Sequence, residues 1–203
     1  MKSVYSQSEG GFLYLESSNM TLAYTQLYEV SATKGACIEG TKYSYVFIAM
    51  TSFQNYSPDC MYFSDALNVT LMGVNITDSI YSKMKLSNSF LEGGSALSLV
   101  NCPYIKVYGC VVQNNADITN DGGAIYIYME DHIPNVMSDV TGSYFVNNAV
   151  FKRGGAIYIY NQNISLIKNT FMMNRAESGG AIYFDSYGIY IYYIFEKIIF
   201  FEI

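Results

Sequence analysis

Positive charge is scarce in this chain. Among its 203 residues only Arg153 and Arg175 are arginines, and 11 Lys plus Arg stand against 17 Asp plus Glu, for a formal net charge of −6 and a sequence pI near 4.7. Binding nucleic acid takes a basic patch that neutralises phosphates, so no nucleic-acid partner is expected. Nucleophile motifs, phosphate-cradling loops and the Gly-Gly-x-Gly-x-Asp calcium repeat are missing, and neither a metal nor a cofactor site is expected. Helical periodicity is missing too, as is the Leu-x-x-Leu-x-Leu pattern of leucine-rich repeats. The start, Met1 to Tyr5, lacks the apolar stretch of a signal peptide. The four cysteines, Cys37, Cys60, Cys102 and Cys110, are spaced like neither a zinc site nor a disulfide framework. They read as small core hydrophobes, with Cys102 and Cys110 the one pair to check for a bond.

What the chain does have is a repeat. Gly122 to Tyr128 reads Gly-Gly-Ala-Ile-Tyr-Ile-Tyr, recurs letter for letter at Gly154 to Tyr160, and returns as Gly-Gly-Ala-Ile-Tyr-Phe at Gly179 to Phe184. Weaker copies begin at Gly94, Gly10, Lys34 and Pro58, so the second turn residue marks Gly11, Gly35, Asp59, Ser95, Gly123, Gly155 and Gly180. The shortest steps between them set the unit, and longer steps carry inserted loops. A second half follows each copy: Ile164 leads seven residues on to Phe171 and then Asn174, and the same offset links Ile105 to Val112, Val69 to Ile76 and Met20 to Leu27. Phe145 to Asn148 is a stretched version.

A unit of about 25 residues with short β-type runs cannot bury a face alone, so the copies must stack. The predicted fold is all-β, a right-handed parallel β-helix solenoid of about seven coils, forming a rod on the order of 30 to 35 Å long. Residues 1–186 form the array and 187–203 an apolar tail. At alternate positions after Gly-Gly-Ala stand Leu13 and Leu15, Met61 and Phe63, Leu97 and Leu99, Ile125 and Ile127, Ile157 and Ile159, and Ile182 and Phe184. These point inward. Between them stand Tyr14, Tyr62, Ser98, Tyr126, Tyr158 and Tyr183, where a tolerated Ser suggests a solvated outer face. Tyr126, Tyr158 and Tyr183 are therefore the candidate binding face, and Tyr158→Ser should be mild. Gly122, Gly123, Gly154, Gly155, Gly179 and Gly180 are expected in turns. Asn115, Asn148 and Asn174 are expected at stacked corners, taking left-handed backbone and bonding from coil to coil. By the same alignment Cys37 falls at an inward Ile position and Cys60 at an Ala position.

The tail interrupts its Tyr, Ile and Phe only with Glu196, Lys197 and Glu202 and is shorter than the about 20 apolar residues that span a bilayer. It fits a final strand, the first part of a membrane anchor, or translated non-coding sequence. Neither end carries a polar cap, so a fragment of a longer array is expected, with membrane association through flanking segments. Five Asn-x-Ser/Thr triplets occur, at Asn19, Asn55, Asn68, Asn75 and Asn163, three of them at one place in the repeat.

The alternation of Gly-Gly-Ala-Ile at Gly122, Gly154 and Gly179 with Phe-x-x-Asn at Phe145 to Asn148 and Phe171 to Asn174 resembles the polymorphic outer membrane protein repeat. The likeness covers the C-terminal half well and the first half through degenerate copies. It implies a β-helix displayed at a cell surface or secreted, of the kind that includes adhesins, with an unidentified protein or glycan surface as partner. The expected function is a non-catalytic structural or adhesive scaffold. A carbohydrate-active β-helix enzyme is the alternative, since such lyases and hydrolases cluster carboxylates. The acids nearest a cluster are Asp117, Asp121, Glu130, Asp131 and Asp139, beside His132, and they read as solvated loop residues.

Overall fold

The computed structural model describes residues 4–5, 11–31, 37–57, 60–79, 96–117, 121–186, 193–196 and 198–201. Every named element is a β-strand, and every pairing is parallel. Each coil runs through three sheets in turn. Sheet 1 stacks Leu13–Glu16, Ile38–Thr41, Met61–Ser64, Leu97–Val100, Ile125–Tyr128, Ile157–Tyr160 and Ile182–Asp185. Sheet 2 stacks Asn19–Ala23, Tyr45–Ala49, Asn68–Met72, Tyr104–Tyr108, Ser138–Thr141, Ile164–Ile167 and Tyr193–Glu196. Sheet 3 stacks Val4–Tyr5, Gln26–Ser31, Ser52–Ser57, Asn75–Ser79, Val111–Gln113, Tyr144–Val146, Thr170–Met172 and Ile199–Phe201. The protein is a parallel β-helix solenoid, as the repeat predicts. Gly10, Gly35, Asp59, Gly94 and Ser95 lie outside the described residues.

The inward columns form the core. In sheet 1, Ile38, Met61, Leu97, Ile125 and Ile157 stand in register and are buried, as are Phe63, Leu99, Ile127 and Ile159 two residues on. Gly40 shares the second column because a Cβ there would lie 2.7 Å from the Phe63 ring. Sheet 3 contributes Leu27, Phe53, Ile76, Val112, Phe145 and Phe171, all buried. Phe53, seven residues after Val46, belongs to this column although its coil's degenerate markers conceal it. Phe145 and Phe171 stack at 5.0 Å, and Phe171 stacks on Phe200 at 5.4 Å. Identical groups one strand apart give each coil the same apolar contact on both sides, which is how a solenoid without a globular centre buries its area.

Corners use left-handed residues. Sheet 3 strands carry positive φ within them at Glu29, Asn55 and Asp78, and in the later coils just past their ends at Asn114, Asn147 and Met173. The bend between sheets 2 and 3 has it at Tyr24, Met50, Gly73, Gly109, Gly142 and Lys168. Asn, Asp and Gly pay least for this geometry. Left-handed backbone thus falls one residue before Asn115, Asn148 and Asn174, not on them, because these three must turn their amides into the solenoid.

Register corrects one expectation and decides among the readings of the tail. Cys37 donates its backbone N–H to the carbonyl of Cys60, and Met61 donates to Ala96, so Cys37, Cys60, Ala96, Ala124 and Ala156 share one fully buried column of small side chains. Cys37 is therefore shifted one residue from the inward Ile position. Within 187–203, Tyr193–Glu196 pairs in register with Ile164–Ile167, and Ile199–Phe201 with Thr170–Met172. The tail's described strands extend the array beyond residue 186.

Candidate functional site

Each glycine of a Gly-Gly pair is needed for a different reason. The first is left-handed, with φ of +72° at Gly122, +68° at Gly154 and +61° at Gly179, and a Cβ on Gly122 or Gly154 would lie 2.4 Å from the carbonyl oxygen of Ile125 or Ile157. The second lets coils approach: a Cβ on Gly123 would lie 2.1 Å from the Gly155 oxygen, and one on Gly155 1.9 Å from the Gly180 oxygen. Gly180, in the last copy, has no such neighbour within 3.4 Å.

The Asn ladder is present. Asn115 Nδ2 donates to Asn148 Oδ1 at 2.9 Å, Asn148 Nδ2 to Asn174 Oδ1 at 3.0 Å, and Asn174 Nδ2 to the Phe145 carbonyl at 2.8 Å. The Asn148 Oδ1 also accepts from the Asn115 backbone N–H, and Asn174 Oδ1 from that of Asn148. The buried phenol of Tyr56 donates to Asn115 Oδ1 at 2.5 Å and ends the ladder on that side. A second ladder runs beside it through the left-handed residues, with Asn147 donating to Asn114 and Asn114 to Asp78, each at 3.0 Å. The first is structural, since buried amides satisfied in a chain hold coils in register; the second runs along the exposed rim of the same bend.

The tyrosine column corrects the expected solvated face. Tyr126, Tyr158 and Tyr183 do stand on the outer side of sheet 1, in register and stacked, with ring centroids 5.2 and 5.9 Å apart. Yet Tyr126 is 4% and Tyr158 3% exposed, Tyr183 is half-buried, and Tyr62 and Ser98 in the same column are buried too. Serine at 98 is fully buried, so its presence in the column does not mark a solvated face. Only Tyr14, at the N-terminal end of the column, is exposed.

Part of that burial comes from a charged cluster. Arg153 forks onto Asp121, with Nε–Oδ1 3.1 Å and Nη2–Oδ2 2.8 Å, and donates through Nη1 to Asp185 Oδ2 at 2.9 Å. Its guanidinium lies 4.8 Å from the centroid of the Tyr158 ring and 5.3 Å from that of Tyr183, a cation–π arrangement. The Tyr158 hydroxyl donates to Asp185 at 3.4 Å. Burial drives the Tyr158 phenol well above its usual range against the opposing pull of Arg153, and the bond to Asp121 raises the Arg153 pKa further. The Asp121–Arg153 pair has a sequence signal, since each directly precedes a Gly-Gly in successive coils, whereas Asp185, at the end of the last sheet 1 strand, has none.

The acids considered for catalysis are dispersed. Asp121 is committed to Arg153. Glu130 and Asp131 are exposed in the loop 129–137, which is inserted between sheets 1 and 2. His132 donates from Nδ1 to the Asn161 carbonyl at 3.2 Å, and Asp139 stands in sheet 2 opposite Lys106. Asp117 is placed on a short strand, Ala116–Asp117, paired with Ala149–Val150. Among the described residues no group of three His, Cys, Asp or Glu side chains could hold a metal ion. All four cysteines are free and buried, and burial pushes the thiols of Cys102 and Cys110 up to about 12 and about 11. Such thiols are inert at neutral pH.

Exposed aromatics stand elsewhere, at Tyr24, Tyr43, Tyr144 and Phe151 among others, and two of them share the outer side of sheet 2. Asn19, Tyr45, Asn68 and Tyr104 follow one another in register, with Thr21, Phe47, Thr70 and Lys106 beside them. Tyr45 is 51% and Tyr104 49% exposed. This pattern of rings spaced by amides and hydroxyls spans the first four coils.

Fold and surface together define a parallel β-helix that closes one outer face and opens another. No protein-family model matches the chain, and neither a curated protein nor a solved structure matches it.

Proposed function

We propose that this chain is a non-catalytic structural or adhesive scaffold of a cell-surface or secreted protein, whose contact surface is the outer side of sheet 2. The observation that carries the reading is the row Asn19, Tyr45, Asn68, Tyr104, where two half-exposed phenol rings alternate with side-chain amides on a parallel sheet. Tyr offers a large amphipathic area at low entropic cost, suited to protein or glycan contact. The commitment of Asp121, Arg153 and Asp185 to one another supports a structural role for the densest charges described. Resemblance to the polymorphic outer membrane protein repeat supports the surface location. Among the described residues no helix is long and apolar enough to cross a membrane.

Purified protein screened on a glycan array, and against acidic and neutral polysaccharides for released reducing or unsaturated ends, tests the reading. The expected result is binding that depends weakly on salt, is lost in a Tyr45→Ser, Tyr104→Ser double variant, and comes with no chain cleavage. Turnover abolished by Asp131→Ala or His132→Ala would establish a carbohydrate-active enzyme instead.

A further inference from the structure

The five Asn-x-Ser/Thr triplets look equivalent in sequence, and the fold sorts them. Asn19, Asn68 and Asn163 hold the same place at the start of sheet 2 strands. Residues i and i+2 of a strand project to one side, so Asn19 with Thr21, and Asn68 with Thr70, stand together on the outer face. Asn19 and Thr21 are exposed, and Asn68 and Thr70 are partly so. Thr70 Oγ1 donates to Asn68 Oδ1 at 2.9 Å, pairing hydroxyl and amide within the triplet. Asn163 has the opposite surroundings. It is 3% and Ser165 4% exposed, and the Asn163 amide donates to the Val136 carbonyl at 3.0 Å, in the loop inserted before this strand's lower neighbour. Asn75 is exposed but its Thr77 is buried, and Asn55 is a half-buried left-handed corner residue.

We propose that Asn19 and Asn68 are N-glycan acceptor sites and that Asn163, despite its triplet, is not; sugars there would cover the neighbouring Tyr45 and Tyr104, so the glycosylated chain serves as the structural scaffold and only the bare chain offers the adhesive face. The proposal rests on the surface or secreted reading, because the donor is a polyprenyl-pyrophosphate oligosaccharide of the secretory compartment. In the transfer a bond forms between Asn Nδ2 and sugar C1, and the bond from C1 to the phosphate oxygen breaks. Nδ2 gives up one proton, and the lipid pyrophosphate leaves with the bonding pair. A folded chain keeps a glycan only where the amide has a path to water. At Asn19 and Asn68 the path is the open face of sheet 2. A sugar on Asn163 would have to displace the Val136 bond and lift the loop 129–137 from the sheet.

The test places the full chain behind a heterologous secretory signal in cultured eukaryotic cells, so acceptor competence is read whatever the native location. Folded, protease-resistant protein, from the medium or from the microsomal lumen if it is retained, is deglycosylated enzymatically in heavy-oxygen water and mapped by mass spectrometry. Label is expected at Asn19 and Asn68 and not at Asn163. Thr21→Val and Thr70→Val, which keep a β-branched residue in the strand, should each remove one glycan step in gel mobility. Ser165→Ala should remove none. Unlabelled Asn19 and Asn68 in the folded protein, or a glycan step lost with Ser165→Ala, would overturn the proposal. Surface biotinylation of the protein in its own cells checks the location separately. An intracellular result there sinks the surface reading and leaves acceptor competence to be judged by the mapping.

Discussion

The outer faces of sheets 1 and 2 have the same alternation in sequence and opposite relations to solvent. On sheet 1 the residues between the inward columns are buried from Tyr62 through Ser98 and Tyr126 to Tyr158, with Tyr14 exposed at one end and Tyr183 half-buried at the other. On sheet 2 the comparable aromatic positions are Tyr45 and Tyr104, each about half exposed. Period-2 alternation assigns a side chain to the inner or outer side of its own sheet. Whether the outer side is wet depends on what is laid over it, and for Tyr158 part of the answer is Arg153, positioned from the residue before a Gly-Gly pair.

Three substitutions, one with a matched control, probe the buried face in order of expected effect. Ile157→Asp would bury an unpaired carboxylate between two coils and should cost several kcal/mol, on the order of 4, which disrupts the array. Loss of the cooperative urea transition checks it. Gly155→Ala should come next, at about 3 kcal/mol, since its Cβ would collide with the Gly180 backbone and no flexible side chain can yield. The matched Gly180→Ala, whose Cβ would meet only the Asn174 carbonyl oxygen at 3.7 Å, should cost about 1 kcal/mol or less, so equal melting midpoints for the two variants would contradict the close coil approach. Arg153→Met leaves Asp121 without its fork. With Arg153 about a third exposed, the expected loss is about 1 to 2 kcal/mol, discounted for solvent screening. Its transition should become less sensitive to salt than that of the parent.

The fold was readable because a repeat supplies its own alignment. The Ile columns, the Gly-Gly turns and the Asn ladder each follow from copies that must stack, and the structure places them so. Where the copies degenerate, register slips: Cys37 is displaced by one residue because Gly35 and Ala36 mimic a Gly-Gly-Ala start, and Phe53 goes unmarked. The tail abandons the Gly-Gly and Asn signals, yet its strands pair because register is imposed by the coil beneath. Solvation of the tyrosine column was beyond reach for a different reason. It depends on residues distant in sequence, with Asp121, Arg153 and Asp185 meeting across three coils. The exposed face of sheet 2 has no motif of its own, and its Asn-Tyr alternation becomes visible only once strands are paired.

Tyr158→Ser and Tyr45→Ser, compared in parallel urea unfolding of the full chain, test the difference between the two faces most directly. Tyr158→Ser should lower stability by about 2 to 4 kcal/mol, through lost ring stacking and a vacated site above Arg153. Tyr45→Ser should stay within about 0.5 kcal/mol, as for an exposed position. Equal and small effects would mean that the tyrosine column of sheet 1 is solvated after all, and a larger loss for Tyr45→Ser would reverse the two faces.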